Sequence, residues 1–414
     1  TVTGYLAAAE KLVGQKRFAE AEPLVRALAL APGFTLQTRF LSGFIAGNQG
    51  RWKDAIGQYK AILADDPGQT RVRIELARAF MATGQYGAAD KQFQVVERTR
   101  DLSPEFARTI RTVRNTIRAN RPWQLDIAAG IAPDTNINNA TAADTVTVML
   151  GDTPIPLSLD SQAQARSGLG ITARASGSVR LPVAKKVSVI ADLDVGGTEY
   201  KGGEFDTWVG QVAAGAEYQL SAATRVSLQG VGAQRWFGGD AVSRQFGVRA
   251  GGQTVLDSRR RLGIQLDVRH SDALFNDGYS GWQYAAYGTF EQAVNATQVV
   301  SAGPYLRRDA LRSDALSSTE AGGTLGVGGE LKWGINFGAS IGAARTIFDA
   351  PVPIFSPDPR RDWQVFTRAT LGNRKLRVLG LSPQLNWSVT RVRSNYAFYS
   401  TTRSRFELTL ARYF

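Results

Sequence analysis

Cysteine is absent from all 414 residues, which excludes a disulfide framework, a Cys-ligated zinc site and a thiol nucleophile. Histidine occurs once and methionine twice. No apolar run approaches the roughly 18 residues of a membrane helix, so a chain of this kind spans a bilayer only as a closed barrel. Phosphate loops, dinucleotide fingerprints and metal-ligand clusters are also missing, and no cofactor is expected. Acidic charge is in deficit: 36 Asp and Glu against 49 Lys and Arg leave a net charge of +13. That balance suits lipopolysaccharide, other outer-membrane lipids or an acidic protein client. No aromatic-basic motif accompanies it, so nucleic acid is not an expected partner. No charged, apolar signal region precedes Thr1, which predicts a processed or trimmed chain if the protein is exported.

The length exceeds one ordinary domain, and the sequence divides in two. In the first third a period of 34 residues aligns Phe18, Trp52 and Tyr86, and likewise Ala21, Ala55 and Ala89. The same offset aligns Val25, Tyr59 and Phe93, then Leu28, Ile62 and Val96. Gly50 and Gly84 precede the aromatic at the turn, with Lys16 in that place in the first copy. This is the tetratricopeptide pattern, with a small Ala where paired helices touch and large residues between them. It predicts three helix pairs over residues 1 to about 102, followed by a helix capped at Ser103-Pro104-Glu105 and running to about Ala119. Such a solenoid presents a concave groove, and Arg39, Arg71, Arg73 and Arg78 are candidate contacts for an acidic client.

At Asn120-Arg-Pro122-Trp123 the helical period gives way to alternation, which sets the boundary between a domain of residues 1–121 and one of residues 122–414. About fourteen alternating segments follow, beginning near 123, 165, 186, 206, 223, 243, 260, 280, 296, 317, 334, 361, 378 and 401. An even number returns the C-terminus to the starting side, and connections alternate short and long, as a transmembrane barrel requires. In the last segment Phe406, Leu408, Leu410 and Phe414 share one parity, with Glu407, Thr409 and Ala411 on the other. Outer-membrane barrels of Gram-negative bacteria end in this way, on an aromatic residue. The fold class is therefore α+β multidomain: an N-terminal α-solenoid, then an antiparallel β-barrel of about fourteen strands whose seam joins Trp123 to Phe414.

Aromatics near the strand ends, among them Tyr200, Trp208, Tyr218, Trp236, Trp282, Tyr305 and Trp363, suit the two membrane interfaces. The inward set is rich in Gly, Ser, Ala and Thr, with charges at Arg174, Asp192, Asp194, Asp267, Arg269 and Arg368, so a water-filled or partly plugged lumen is expected. Pro304 and Pro383 each delete a ladder donor and are expected to mark bulges or a shifted register. A hydrolase would have to use His270, but its neighbour Ser271 projects to the opposite face of a strand. Asp134-Thr-Asn136-Ile-Asn138-Asn139 offers oxygen ligands without the glycine and glutamate of a calcium loop, and reads better as a hydrogen-bonded turn. No enzyme activity is expected.

The repeats, Pro122-Trp123, the segment Gly130-Ile-Ala-Pro-Asp134-Thr-Asn136-Ile-Asn138-Asn139, and Arg391-Val-Arg393-Ser-Asn395 together resemble the surface lipoprotein assembly modulator family. The resemblance covers nearly the whole chain. It implies an outer-membrane translocator: the repeats receive a client lipoprotein or related secreted protein in the periplasm, and the barrel, inserted by the barrel-assembly machinery, delivers it outside. Alternatives are a polysaccharide exporter, a passive porin with a protein-binding appendage, and a barrel that merely anchors the solenoid.

Overall fold

The computed structural model describes residues 2–31, 33–97, 122–150, 153–161, 163–373, 375–378 and 381–413, together with residues 106, 109, 110, 112–114 and 117. The chain forms two compact units, Thr1–Pro122 and Trp123–Phe414.

The first unit holds α1 (Val2–Gly14), α2 (Phe18–Leu28), α3 (Thr35–Asn48), α4 (Trp52–Asp65), α5 (Thr70–Ala82) and α6 (Tyr86–Glu97). These are the three expected helix pairs. Ala21, Ala55 and Ala89 are each fully buried, so the repeated alanine is where paired helices approach most closely. The larger aligned columns fill the space around it, with Val25, Tyr59, Phe93, Leu28, Ile62 and Val96 all in the core. Each pair turns through a left-handed residue, Lys16 at φ 60°, Gly50 at 80° and Gly84 at 73°. The amide beyond it reaches back to the helix end: Arg17 to Leu12 at 2.9 Å, Arg51 to Ala46 and Gln85 to Phe80 at 2.8 Å. This bonding satisfies carbonyls the helix leaves free, and it demands a backbone that glycine adopts at least cost. Ser103, Pro104, Glu105 and Ala119 lie outside the described residues.

The second unit is a closed antiparallel barrel. Its strands are β1 (Trp123–Asp134), β4 (Gly168–Ala184), β5 (Val187–Tyr200), β6 (Thr207–Gln219), β7 (Thr224–Phe237), β8 (Asp240–Val255), β9 (Arg260–Ala273), β10 (Gly281–Ala293), β11 (Gln298–Leu311), β12 (Ser318–Glu330), β13 (Ile335–Phe348), β14 (Arg361–Asn373), β15 (Ser382–Ser394) and β16 (Thr401–Tyr413). A hairpin of β2 (Thr145–Leu150) and β3 (Thr153–Ser158) lies in the long connection after β1. Every barrel strand pairs with its neighbours in sequence, and β1 closes the ring against β16. Each begins within four residues of its expected start.

One barrel end carries the start of β1, the end of β16 and the connections 185–186, 220–223, 256–259, 294–297, 331–334 and 374–381. The opposite end carries 135–167, 201–206, 238–239, 274–280, 312–317, 349–360 and 395–400. Length does not alternate strictly, because Gly238 and Gly239, both left-handed, close β7 to β8 in two residues. Outward parity exposes Leu169, Ile171, Val189, Leu193, Leu228, Ile264, Leu325, Ile341, Val365, Phe406 and Leu408. A continuous apolar belt of this kind is a liability in water and the natural surface in lipid.

Two expectations are corrected. The register shifts lie at Pro182/Ala184 and Arg235/Trp236, not at the prolines singled out by sequence. Pro304 pairs with Gly323 in β12, while towards β10 the ladder is interrupted at Gly288 and Thr289 without a register shift, and Gly288 lacks the Cβ that would press on the proline ring. Pro383 sits at the second position of β15, paired with Leu410. Tyr200 and Tyr305 leave the aromatic girdle: both face inward, Tyr200 buried against Asp134 and Tyr305 stacked on Tyr287 at 6.1 Å.

Candidate functional site: the barrel seam and the repeat groove

The seam between β1 and β16 has an interrupted ladder, a feature it shares with the β10–β11 pair, where Gly288 and Thr289 are skipped opposite Pro304 and Gly303. The seam register runs from Asp126 opposite Tyr413 to Ile131 opposite Leu408, skips Ala132 and Pro133, and resumes at Asp134 opposite Arg405. Proline has no amide to give, so the ladder breaks there. Gly130 lets the strands come close, since a Cβ at that position would stand 1.9 Å from the Leu408 carbonyl oxygen. Phe414, the expected seam partner of Trp123, lies outside the described residues, and the ring-side neighbour of Trp123 is Val179 on β4.

Beyond the break, side chains replace the ladder. The Asp134 carboxylate, wholly shielded from solvent, accepts Arg403 Nε at 2.9 Å and Nη2 at 2.5 Å. It also accepts the Tyr200 hydroxyl at 3.2 Å and the Asn136 amide at 3.0 Å. Arg405 donates to Tyr200 Oη at 3.2 Å and to Thr198 Oγ1 at 2.6 Å. Its Nε stands 2.9 Å from Glu407, at an angle that makes an ion pair rather than a hydrogen bond. Asn136, fully buried, bonds Ala140 and the Thr402 carbonyl, while Asn138 bridges to Gln164 and Arg166. The Asp-x-Asn-x-Asn segment is thus a hydrogen-bonded turn that ties β1 to β16.

Every lumen candidate lies on an inward-facing parity. Arg174 and Asp194 line a cavity of about 610 Å³ with Arg403, Arg405 and Glu407. Asp192 accepts from Gln229 at 2.6 Å. Asp267 gathers Arg249 at 3.3 Å, Arg269 at 2.9 Å and Gln265 at 2.6 Å. Arg368, on β14, is exposed and joins none of these groups. Sequence reading placed these charges by parity, yet it missed Tyr200, Arg403 and Arg405, whose inward parity was the available signal. His270 points outward between Phe246 and Trp282, with Nδ1 3.2 Å from Asp272, and Ser271 points inward. The two cannot act on one substrate.

The repeat unit has a groove of about 660 Å³ floored by Phe18, Leu36, Phe40 and Phe44, with Lys16 and Arg71 beside them. The Arg71 guanidinium lies 5.0 Å over the Phe40 ring. The other arginine candidates are engaged within the fold: Arg39 with Asp65 at 2.6 Å, Arg73 with the Pro67 carbonyl at 2.7 Å, and Arg78 with Glu75 at 3.6 Å. Burial, followed by the charge of Glu75, pushes the Tyr59 phenol up, so it stays neutral behind Phe40. Phe40 and Phe44, one helical turn apart, are the groove residues that sequence reading passed over.

The tetratricopeptide repeat profile matches residues 48–110, and that of the surface lipoprotein assembly modifier matches residues 123–414, well over half of the chain. The chain belongs to the surface lipoprotein assembly modifier family. Within the family it is 23% identical to surface lipoprotein assembly modifier 2 of Haemophilus influenzae over 402 residues, 94% of this chain and 80% of that one. To surface lipoprotein assembly modifier 1 of Neisseria meningitidis it is 23% identical, covering 88% of this chain and 73% of the relative. The Pasteurella multocida modifier is 22% identical across 91% of this chain and 76% of its own length. This chain thus joins tetratricopeptide repeats to the closed barrel that the family profile covers.

Proposed function

We propose that this protein is an outer-membrane translocator, with its repeat unit in the periplasm and its longer connections outside. The repeats capture a client lipoprotein or a related secreted protein, and the barrel delivers it to the cell surface. The reading is carried by one observation: an apolar groove edged by Lys16 and Arg71 is joined in a single chain to a closed barrel with polar cavities. Phenyl rings with flanking cations fit an extended peptide that carries apolar and acidic side chains. This orientation is supported by both barrel termini lying at the end with the tighter turns, as in other outer-membrane barrels.

The route needs no nucleotide. A client that enters unfolded and folds outside is pulled forward, because the folded form cannot return through the same path. The β1–β16 pair, where the first and last strands meet and the ladder is interrupted at Ala132 and Pro133, is the place we assign for the wall to part. The β10–β11 pair is interrupted in the same way but lies within the continuous run of hairpins. Lipids, lipopolysaccharide and the barrel-assembly machinery are the further partners, and no step is enzymatic. Deleting residues 1–121 is expected to abolish surface display of the client while the barrel still inserts. Undiminished display would refute the role of the repeats.

A second reading, polysaccharide export, draws support from the stacked inward pair Tyr287 and Tyr305. It predicts that Tyr287→Ala lowers polysaccharide on the surface and leaves lipoprotein display unchanged.

A further inference from the structure

Four arginines stand on the outward face of three adjacent strands, at the end of the barrel that carries the longer connections. Arg345 on β13 and Arg393 on β15 are the direct cross-strand partners of Trp363 on β14. Arg391 lies opposite Val365, and Arg361 opposite Ile347. Directly opposed side chains in a sheet sit about 5 Å apart, and alternate residues along a strand about 7 Å, so the four charges share one small patch. Trp363 is 53% exposed, with the Arg345 guanidinium 5.1 Å over its ring.

These cations lack the carboxylates that their neighbours have. On the same rim Arg308 is paired with Asp349, Arg312 with Asp277, and Arg166 with Glu204. Asp362, the acid next in sequence to Arg361, points inward and is held by Arg360 at 3.0 Å. Among the described residues no acidic side chain forms an ion pair with Arg345, Arg361, Arg391 or Arg393. Single arginines at a membrane interface extend their charge into the headgroup layer. Four together repel one another, and the arrangement is stable when anions sit between them.

We propose that this patch is a binding site for the phosphate groups of an outer-leaflet glycolipid of the lipid A class. The guanidiniums supply paired donors to phosphate oxygens, Trp363 lies at the sugar level, and Val365, two residues further from the rim, lines the way to the acyl chains. The seam strand β16 adjoins β15, so the patch begins one strand from the β1–β16 junction and extends to β13. The inference rests on the orientation given above, which is tested separately.

The experiment uses the full chain in phosphatidylcholine nanodiscs. Bisphosphorylated lipid A, or lipid A with both phosphates removed, is added, and the lipid retained after gel filtration is counted by mass spectrometry. Wild-type protein is expected to retain the phosphorylated form at least about tenfold better than the dephosphorylated one. Arg391→Gln/Arg393→Gln, and the quadruple variant that adds Arg345→Gln and Arg361→Gln, should lose that preference stepwise; replacement by Lys should restore part of it. Heat-modifiable migration in gels confirms that each variant is folded, and if the quadruple variant fails this check the double variant decides. Equal retention of both lipids by wild type, or an unchanged preference in the folded double variant, overturns the proposal. Retention of polyglutamate but not lipid A by wild type would overturn it in favour of an acidic surface protein. Labelling Ser356→Cys on intact cells with an impermeant maleimide reports orientation independently, because the chain has no other cysteine.

Discussion

Arg403 near the start of the last barrel strand closes on Asp134 at the end of the first, Nη2 to Oδ2 at 2.5 Å, although 269 residues separate them in sequence. The carboxylate is fully shielded and accepts four donors, so its charge is compensated in place. Breaking a buried pair leaves the remaining charge without a partner, which costs about 3–5 kcal/mol. Asp134→Ala is therefore expected to lower the temperature at which the folded barrel loses its compact gel migration. In the double variant with Arg403→Ala the loss should be smaller than the sum of the single losses, since the uncompensated cation is gone as well. Strict additivity would show that the pair is not coupled.

If the wall opens for cargo at β1–β16, where the first and last strands meet across an interrupted ladder, locking that pair stops it. Ala128 and Ala411 oppose one another across the seam, and the absence of native cysteine permits a clean disulfide there. Ala128→Cys/Ala411→Cys is expected to halt client display when oxidised and to restore it on reduction. A control pair within the unbroken β6–β7 ladder, Ala214→Cys/Gly230→Cys, should leave display intact. Display that continues through an oxidised seam would place the client path within the closed lumen instead.

The architecture was legible because each half repeats a physical period. Alternation located all fourteen strands, and the offset of 34 residues located the buried alanines. Long-range pairings were not legible in the same way. Asp134 and Arg403 meet only because the ring closes, and a local window cannot show that. Tyr200 was misplaced because nearness to a strand end is a weaker signal than parity: it shares the inward side with Asp192 and Asp194. The repeat arginines announced positive charge but not its partners, and Arg39 turned out to be engaged by Asp65 on the neighbouring helix.

Client capture should depend on the groove floor more than on the outer arginines. Phe44→Asp places an unpaired carboxylate between Phe18 and Phe40, whose rings lie 6.5 and 6.2 Å from that of Phe44. It is expected to reduce photocrosslinking of the client to the repeats by roughly tenfold, the loss of about one buried aromatic contact. Arg78→Ala, on an exposed arginine already paired with Glu75, should change capture little. The reverse ranking would move the receptor surface from the groove to the charged exterior.

Lys16 is the exception in the repeat pattern, taking a left-handed backbone at the turn where the next two copies have glycine. A side chain there costs roughly 1–2 kcal/mol of local strain, against which glycine loses somewhat more chain entropy on folding. Lys16→Gly is therefore expected to stabilise the first helix pair by a net of about 1 kcal/mol, read as a higher urea midpoint for loss of helical ellipticity. Lys16→Ala removes the charge and keeps the strain, so it separates the two contributions. If alanine stabilises as much as glycine, the gain comes from the lost charge beside the groove. If only glycine does, the backbone geometry is the cause, and the lysine is retained for what it contributes at the groove edge.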